Sequence, residues 1–283
     1  MASPRPPIAL ITAGSAGLGA CVAELFARNG MRVVINYASN AQRAEELVSK
    51  LKSISTLAPA EGRVDYHAVK ADLASRPDVE RLVEEAVDVM CPSGGGVEGE
   101  GEGEGKRQRL DVVFSNGGWT HMRNLYDLED NMVDEDWDRC FTVNVKSHLW
   151  LMHAAKPYLS AGWDDDDGGS QESGCFVTTA SLAGVKVSGS SLAYAVTKAA
   201  HLHLAKALAM LAAPKVRVNS VSPGLLLTEW GLRFPPERIQ AMTEASKLKR
   251  LAAVEDVAEQ VLTYVKNKSV TGQNMVLDGG LSL

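Results

Sequence analysis

The chain has 283 residues, of which 45% are hydrophobic and 23% charged, and its formal net charge at pH 7 is −6. This balance is typical of a globular protein, and the acidic excess argues against a nucleic-acid binder, which needs a basic face to neutralise phosphates. No stretch approaches 18 consecutive apolar residues, so no membrane-spanning helix is predicted. The four cysteines are scattered, which argues against a zinc site or a disulfide framework and favours a reducing, cytoplasmic location.

Short apolar runs alternate with helix-length segments along the chain. Strands are predicted at residues 8–12, 32–36, 64–69, 111–114, 175–179, 216–221 and 274–277, and helices at 18–29, 41–52, 77–90, 135–159, 192–211 and 254–265. Strands that are apolar throughout belong to a parallel sheet covered by helices on both faces. We therefore predict one α/β domain over residues 1–283, with a Rossmann-type, doubly wound, seven-stranded parallel sheet.

Two stretches interrupt this alternation. Residues 92–109 consist largely of glycine, glutamate and basic residues, and residues 162–173 contain four consecutive aspartates. Segments so poor in apolar side chains cannot offset the entropy lost on ordering. Both are predicted to be mobile loop insertions. No metal site is predicted at the aspartates, because neighbouring side chains do not converge on one ion without a fold to aim them.

The first predicted strand runs into a turn of small residues and then into a helix. Such a unit binds a dinucleotide pyrophosphate, because small residues let the backbone approach and the free N–H groups of the helix start attract negative charge. Small residues also suit tight packing of a strand against a helix, so the turn alone leaves both interpretations open. Its residues are Thr12, Ala13, Gly14, Ser15, Ala16, Gly17, Leu18 and Gly19.

The end of the second strand bears on which dinucleotide binds. An acidic residue there would bind the adenosine ribose and repel a 2′-phosphate, but this segment contains none. Ser39 and Asn40 can donate hydrogen bonds to a phosphate, and Arg43 follows within reach. The sequence therefore favours NADP(H) over NAD(H), bound at Asn36, Tyr37, Ala38 and Ser39.

Ser181, Tyr194 and Lys198 form a candidate proton-transfer set. Hydride exchange at a carbonyl or alcohol requires a proton to move at the oxygen, and a lysine ammonium lowers the pKa of a nearby tyrosine. Positions i and i+4 of a helix share a face, so Tyr194 and Lys198 can cooperate. A serine from a neighbouring strand end can then hold the substrate oxygen beside the tyrosine.

The same Tyr–Lys spacing occurs at two other places in the chain. The pair Tyr66/Lys70 lies in a predicted strand, where four residues span roughly 13 Å and the side chains cannot meet. The pair Tyr264/Lys268 lies at the tail of the last predicted helix, with no serine at the corresponding earlier position. Only Tyr194/Lys198 opens a long helix after a strand that delivers a serine, so the context selects this pair.

Taken in order, these motifs resemble the short-chain dehydrogenase/reductase family. The resemblance runs from about residue 8 to residue 280, and it is greatest with the ketoacyl-type and fungal polyketide-ketone reductases, largely through residues 33–38. The ordered set is specific although no single motif is decisive. It comprises residues 12–19 with Asp72, Leu73, Asn116, Gly117, Gly118, Asn144, Ser181, Tyr194, Lys198, Pro223 and Gly224.

The resemblance implies a role for each matching residue. Tyr194 would be the general acid/base, Lys198 would lower its pKa and hold the nicotinamide ribose, and Ser181 would orient the substrate oxygen. Asn144 would hold a water that links Lys198 to solvent. The nucleotide would be flanked by Asp72 and Leu73 at the adenine, by Asn116 and Gly117 at the adenosine half, and by Pro223, Gly224 and Thr228 at the nicotinamide.

Two departures from the family pattern affect the turns. Ala13 stands where the family usually has its first glycine, and the segment Ser115-Asn116-Gly117-Gly118 replaces the more usual Asn-Asn-Ala-Gly. An alanine at the first position need not block the pyrophosphate, and the second change is mild. The two loop insertions put none of the site residues in doubt.

Residues 225–250 are predicted to form a lid over the substrate. Trp119, His121 and residues 187–190 are further candidates for the pocket wall, although packing or loop surface explains each equally well. Lys247, Lys249 and Arg250 fit either an acidic substrate group or a solvated helix face. A bulky apolar or polyketide-like ketone is the predicted substrate, because the lid contains Trp230, Phe234, Pro235, Pro236 and Met242.

The preferred hypothesis is an NADP(H)-dependent oxidoreductase that reduces a ketone or oxidises the corresponding alcohol. A non-redox cyclase on the same scaffold would be favoured by loss of the tyrosine or lysine, and both are present. The third hypothesis is a nucleotide-sensing binding protein that recruits a partner through the acidic residues 98–105. The family resemblance implies a homodimer or homotetramer formed by the long helices; no metal, nucleic-acid or membrane partner is predicted.

Overall fold

The computed structural model describes residues 5–92, 108–163 and 172–283. Within these ranges seven strands form one parallel sheet in the order β3-β2-β1-β4-β5-β6-β7. The predicted doubly wound α/β domain is confirmed, and every strand boundary lies within two residues of its predicted position. The strands are β1 (Ile8–Ile11), β2 (Arg32–Tyr37), β3 (Tyr66–Lys70), β4 (Val112–Ser115), β5 (Gly174–Thr179), β6 (Val216–Pro223) and β7 (Asn274–Leu277).

Helices cover both faces of the sheet. They are α1 (Gly17–Arg28), α2 (Ala41–Ile54), α3 (Arg76–Met90), α4 (Asp134–Phe141), α5 (Ser147–Leu159), α6 (Leu192–Ala212), α7 (Pro236–Ala245) and α8 (Val254–Lys266). Side chains alternate along a strand, so β1 buries Ala9 and Ile11 under α1, α2 and α8, and it buries Ile8 and Leu10 under α3, α5 and α6. Burial on both faces explains why the strands are apolar throughout.

The predicted helix over residues 135–159 is confirmed, with a π-helical turn inside it. The backbone is helical from Asp134 to Leu159: α4 leads into a π-helical turn (Thr142–Lys146), which leads into α5. A π turn inserts one extra residue into an α-helix and is common at functional sites. This one contains Asn144, whose side chain hydrogen-bonds to Trp119 and Thr197 outside the turn. The bonds to these distant residues accompany the π turn, which was not predicted.

All seven strands end on the same edge of the sheet. This carboxyl edge carries the glycine-rich turn after β1, Asn116 after β4, Ser181 after β5 and Gly224 after β6. At the opposite, amino edge, α3 leads into β4 and α5 leads into β5. The two predicted loop insertions fall in these connections, and residues 93–107 and 164–171 lie outside the described residues. Among the helices of the described ranges, none is both long and apolar enough to cross a lipid bilayer.

Candidate active site

The ends of β1, β4, β5 and β6 open into a cavity of about 560 Å³. Ligands of open α/β sheets bind at this edge, at the point where the strand order reverses. Here the order reverses between β1 and β4. The predicted site residues that line the cavity are Gly17, Leu18, Asn116, Ser181, Tyr194, Lys198, Pro223, Gly224 and Thr228.

The three predicted catalytic residues meet on the wall of this cavity. Ser181 follows β5, and its Oγ accepts a hydrogen bond from the Ala183 backbone N–H at 3.1 Å. Tyr194 lies in the first turn of α6, which begins at Leu192, and Lys198 lies one turn further. The Lys198 Nζ lies 5.7 Å from the centroid of the Tyr194 ring, as expected for two residues on one helix face.

Burial shifts the pKa of both ionisable groups towards the neutral form. Desolvation raises the pKa of Tyr194 to about 12, with a smaller opposing effect from its hydrogen bond with Ser181. Desolvation lowers the pKa of Lys198 to about 7, since a buried ammonium loses hydration. The predicted effect of Lys198 on the pKa of Tyr194 stays a prediction.

Backbone contacts hold the predicted catalytic lysine in place. Lys198 is 3% exposed, and its Nζ donates a hydrogen bond to the Thr179 carbonyl oxygen at 2.8 Å. The last residues of β5 therefore position Lys198 as well as Ser181. Gly118 closes the other side, where an added Cβ would lie 3.7 Å from the Lys198 Nζ.

Asn144 lies behind the cavity wall. Its Oδ1 accepts from the Trp119 backbone N–H at 2.7 Å, and its Nδ2 donates to the Trp119 carbonyl and to the Thr197 Oγ1, both at 3.0 Å. The side chain thereby joins the π turn, the loop after β4 and α6. Its predicted role in holding a water next to Lys198 stays a prediction.

The structure separates the two competing Tyr–Lys pairs from this cavity. Tyr66 lies in β3, and its hydroxyl donates to the Ser55 Oγ at 2.6 Å. Tyr264 is buried in α8, and Lys268 lies beyond the last residue of that helix. Neither pair lines the cavity, and of the three Tyr–Lys pairs only Tyr194/Lys198 does.

The glycine-rich turn has the features of an anion site. Ala13 adopts a left-handed backbone conformation with φ of 47°, which explains why glycine is usual at this position. An added Cβ at Gly19 would collide with the Ala13 carbonyl oxygen. The first turn of α1 contains no acidic residue, and its N-cap makes no side-chain hydrogen bond. Gly17 and Leu18 line the cavity, so the open helix N-terminus faces it and fits a pyrophosphate.

Several predicted cofactor residues support this turn rather than line the cavity. The Asn36 Oδ1 accepts from the Ala13 N–H at 3.1 Å, and the Thr12 Oγ1 accepts from the Asn116 N–H at 2.9 Å. Gly117 packs so closely on Leu73 that an added Cβ would collide with it. The remaining predicted residues outside the cavity wall are Gly14, Ser15, Gly19, Tyr37, Ala38, Ser39 and Asp72.

The segment after β2 is connected to the predicted lid. Asn40 caps α2 by accepting from the Arg43 N–H at 2.9 Å. The Arg43 Nη1 lies 2.9 Å from both carboxylate oxygens of Glu229, which follows Thr228 and lines the cavity. No motif predicted this ion pair, because its two residues are far apart in sequence.

Aromatic and apolar residues from the segment after β6 form the outer wall. Leu225, Leu226, Trp230, Phe234 and Met242 line the cavity together with Ser188, Gly189 and Ser190. The centroids of the Trp230 and Tyr194 rings are 6.1 Å apart. Arg233 also lines this wall and was missed by the sequence reasoning, which proposed other cations.

The other candidates for the wall lie elsewhere. The Arg139 guanidinium lies over the Trp119 ring, 4.8 Å from its centroid. The His121 Nδ1 lies 3.4 Å from the Asp136 Oδ1. Lys249 and Arg250 border a separate depression. None of these residues, nor Lys247, lines the catalytic cavity. Within the described ranges, no cluster of His, Cys, Asp or Glu side chains could hold a metal ion.

Comparison with known proteins identifies the class. Residues 7–235 match the family described as short chain dehydrogenase. The chain is 31% identical, over 99% of its own length and 98% of the relative's, to a protein of Streptomyces violaceoruber named as ketoacyl reductase 2 of the granaticin polyketide synthase.

Solved structures show the same fold with a nucleotide bound. A short chain dehydrogenase from Burkholderia cenocepacia in complex with NADP is 26% identical over 98% of each chain, with a TM-score of 0.78. A 7α-hydroxysteroid dehydrogenase complexed with NADH and 7-oxo glycochenodeoxycholic acid is 25% identical, with a TM-score of 0.77 over 97% of this chain and 93% of that one.

The chain belongs to the short chain dehydrogenase family. It is an NAD(P)-dependent oxidoreductase that acts on CH–OH or C=O groups of small molecules, as the family match and the ketoacyl reductase relatives indicate.

Proposed function

We propose that this enzyme reduces a bulky, apolar or polyketide-like ketone with NADPH, with Tyr194 as general acid. One observation carries this proposal: Ser181, Tyr194 and Lys198 meet on a cavity that also contains an open helix N-terminus. The burial that raises the pKa of Tyr194 to about 12 keeps the phenol protonated at neutral pH. A protonated phenol can donate its proton, as the reduction of a ketone requires.

The bound nicotinamide would supply the hydride. Tyr194 would donate its proton to the carbonyl oxygen as negative charge develops there, and the Ser181 hydroxyl would hold that oxygen beside the phenol. Lys198, held by the Thr179 carbonyl, would bind the nicotinamide ribose and return a proton to Tyr194. Asn144 would help to position Lys198 through its hydrogen bonds to Trp119 and Thr197.

The nucleotide would lie along the carboxyl edge of the sheet. The turn residues Gly14, Ser15, Gly17, Leu18 and Gly19 would hold the pyrophosphate. The adenosine half would contact Asp72, Leu73, Asn116 and Gly117, and the nicotinamide would contact Pro223, Gly224 and Thr228.

A preference for NADP(H) rests on charge after β2. No acidic residue follows the strand, and Arg43 lies in the first turn of α2, where a guanidinium can bind a 2′-phosphate through two hydrogen bonds. The solved relatives do not favour one nucleotide, since one structure contains NADP and the other contains NADH.

The substrate class rests on the wall and on the relatives. Residues 225–250 would act as the lid, and the aromatic side chains they contribute to the cavity suit a bulky apolar body. One relative is named as a ketoacyl reductase, and a 7-oxo steroid is bound in another. Both names describe ketones or their reduction.

Substitution Tyr194→Phe tests the function. Removal of the general acid should lower kcat by about 10²- to 10⁴-fold while the Kd for NADPH stays unchanged, measured by NADPH oxidation with trans-1-decalone and by nicotinamide fluorescence. Tyr66→Phe removes the same hydroxyl far from the cavity and should keep full turnover. Turnover by Tyr194→Phe at the wild-type rate would contradict the role of Tyr194. Failure of the wild type to bind either nucleotide would contradict the function itself.

Assembly into a homodimer or homotetramer stays a prediction. It is supported by apolar side chains that are exposed on the long helices, Leu149 on α5 and Val196 on α6. A cytoplasmic location likewise stays a prediction. The acidic segment 98–105, proposed above as a partner site, lies outside the described residues.

A further inference from the structure

Arg233 places an unpaired positive charge on the wall of the catalytic cavity. It lies in a short helical turn, Gly231–Arg233, that follows Trp230, and it lines the cavity. No carboxylate among the described residues lies within ion-pair distance of its guanidinium. Its nearest described aromatic contact is the Trp230 ring, 5.9 Å from the Arg233 Cζ to the ring centroid.

The other charged groups of the cavity already have partners. Lys198 is buried and donates to the Thr179 carbonyl. Glu229 is paired with Arg43 outside the cavity. Arg233 is therefore the charge at this wall that has no protein partner among the described residues, and its side chain is exposed to solvent. An unbalanced cation beside an apolar cavity favours a ligand that brings a negative charge of its own.

The remaining cations of the same segment are directed elsewhere. The Arg238 Nη2 donates to the Gly189 carbonyl at 2.7 Å, and the Lys249 Nζ donates to the Glu244 carbonyl at 2.7 Å. The Arg250 Nη1 lies 3.4 Å from the Asp256 Oδ2. The fourth, Lys247, does not line the cavity, so Arg233 is the basic residue of the predicted lid that does.

Trp230 lies near both Tyr194, at the reacting end of the cavity, and Arg233. Its ring centroid is 6.1 Å from that of Tyr194, at an interplanar angle of 45°. The Arg233 Cζ lies 5.9 Å from the same Trp230 centroid. The distance from the Arg233 Cζ to the centroid of the Tyr194 ring is therefore at most the sum of these two distances. A ketone that spans this distance can place its oxygen at Tyr194 and its far end at Arg233.

We propose that the substrate is an anionic ketone, and that Arg233 binds a carboxylate or phosphate at the end of the molecule distant from the carbonyl. A guanidinium fits either group, because its planar N–H donors match their paired oxygens. This inference rests on the proposed function, since it takes the carbonyl to be at Tyr194. It adds a charge requirement that the apolar wall alone does not predict.

The test compares one ketone with and without its charge. The probes are 4-(4-oxocyclohexyl)benzoate and the corresponding carboxamide, which has nearly the same shape. In the wild type, kcat/KM for the acid should exceed that for the amide by about tenfold or more, as one strong ionic contact gives. In Arg233→Gln the two values should become equal through loss of the acid's advantage, while kcat/KM for the amide is unchanged.

Arg250→Gln is the matched control, because it removes the same charge from the same segment outside the cavity. It should keep the preference for the acid. Calorimetric titration of both probes into the enzyme–NADP⁺ complex gives the same comparison without turnover. Equal affinity for acid and amide in the wild type, or failure of both to bind, would overturn the inference.

The nucleotide is the other source of negative charge, so its affinity is measured as well. If Arg233→Gln weakens NADPH binding and leaves the acid preference intact, Arg233 serves the cofactor phosphates and the inference is overturned. Failure of the proposed function has a different signature: the wild type would then bind no nicotinamide nucleotide, or Tyr194→Phe would turn over ketones at the wild-type rate.

Discussion

At the scale of single residues, Arg43 has one observed partner, Glu229, and one proposed partner, the 2′-phosphate of NADPH. It lies in the first turn of α2, beyond the strand end that should receive the adenosine ribose, and its Nη1 contacts both carboxylate oxygens of Glu229. A carboxylate and a 2′-phosphate offer a guanidinium the same kind of acceptor. If NADPH binds as proposed, Glu229 would compete with its 2′-phosphate for Arg43.

Substitution Arg43→Gln should raise the Kd for NADPH about tenfold, as loss of one charged phosphate contact implies, and should leave the Kd for NADH unchanged. Glu229→Gln should act in the opposite direction and tighten NADPH binding, because it frees Arg43. Nicotinamide fluorescence titrations measure both constants. Lys50→Gln removes another cation from α2, one that pairs with Glu24, and should change neither. Equal weakening of NADPH and NADH in Arg43→Gln would show that Arg43 does not distinguish them.

The sequence predicted which three residues meet at the cavity but not their electrostatics. Ser181, Tyr194 and Lys198 could be found because their order and spacing are local properties of a strand and a helix. The raised pKa of Tyr194 and the lowered pKa of Lys198 arise from desolvation by several elements at once. Arg233 carries no motif, and its importance appears only when the charges around the cavity are compared.

At the scale of elements, Arg238 connects α7 to the loop between Ser181 and Tyr194. Its Nη2 donates to the Gly189 carbonyl at 2.7 Å, and its guanidinium lies 4.9 Å from the centroid of the Phe234 ring. Both Gly189 and Phe234 line the cavity. The contact therefore fixes the outer wall against the segment that precedes the catalytic tyrosine.

Substitution Arg238→Met keeps an apolar stem over Phe234 and removes the hydrogen bond to Gly189. Loss of one charge-assisted bond of this kind costs about 1.5–3 kcal/mol, and we expect it to raise KM for a bulky ketone several-fold with little change in the Kd for NADPH. Steady-state kinetics and the rate of limited proteolysis within residues 225–250 measure the effect. Gln240→Met on the exposed side of α7 should change neither value. An unchanged KM in Arg238→Met would mean that this bond does not hold the wall.

Two elements show where periodicity stops being informative. The strands and most helices could be predicted because apolar residues recur with the period of each element. The π turn could not, since it adds one residue at Asn144, and the bonds that accompany it reach Trp119 and Thr197 in other elements. Helix α7 was also missed, because it is short and none of its residues is fully buried.

At the scale of the whole molecule, two stacked histidines join the sheet to the helices that cover it. The rings of His148 on α5 and His201 on α6 are 3.9 Å apart, and both are about 1% exposed. His148 is bonded to the Ser115 Oγ of β4 at 2.6 Å, and His201 to the Thr178 Oγ1 of β5 at 2.5 Å. Desolvation, with Lys198 nearby, lowers the pKa of both well below 6.5.

These two histidines should make the protein less stable in mild acid. Below pH 6.5 the unfolded chain protonates both imidazoles while the folded chain keeps them neutral, so the free energy of unfolding falls as pH drops. The loss approaches about 1.4 kcal/mol per pH unit for each histidine. Urea denaturation between pH 7 and pH 5 measures this slope, which should be about halved in His201→Leu.

The slope, rather than the stability at one pH, is the informative quantity, because His201→Leu also removes a buried hydrogen bond. His203→Leu, at an exposed position of the same helix, should keep the wild-type slope. A slope that is unchanged in His201→Leu would mean that the loss of stability in acid originates elsewhere in the chain.

The amino and carboxyl edges of the sheet also offer a way to attach this enzyme to a surface. The connections from Met90 to Val112 and from Leu159 to Gly174 begin and end at the amino edge, whereas the cavity opens at the carboxyl edge. The six residues of β5 between these edges span about 20 Å. A linker inserted into either connection would attach the enzyme to an electrode or bead through its amino edge. The cavity at the carboxyl edge would then face the solution.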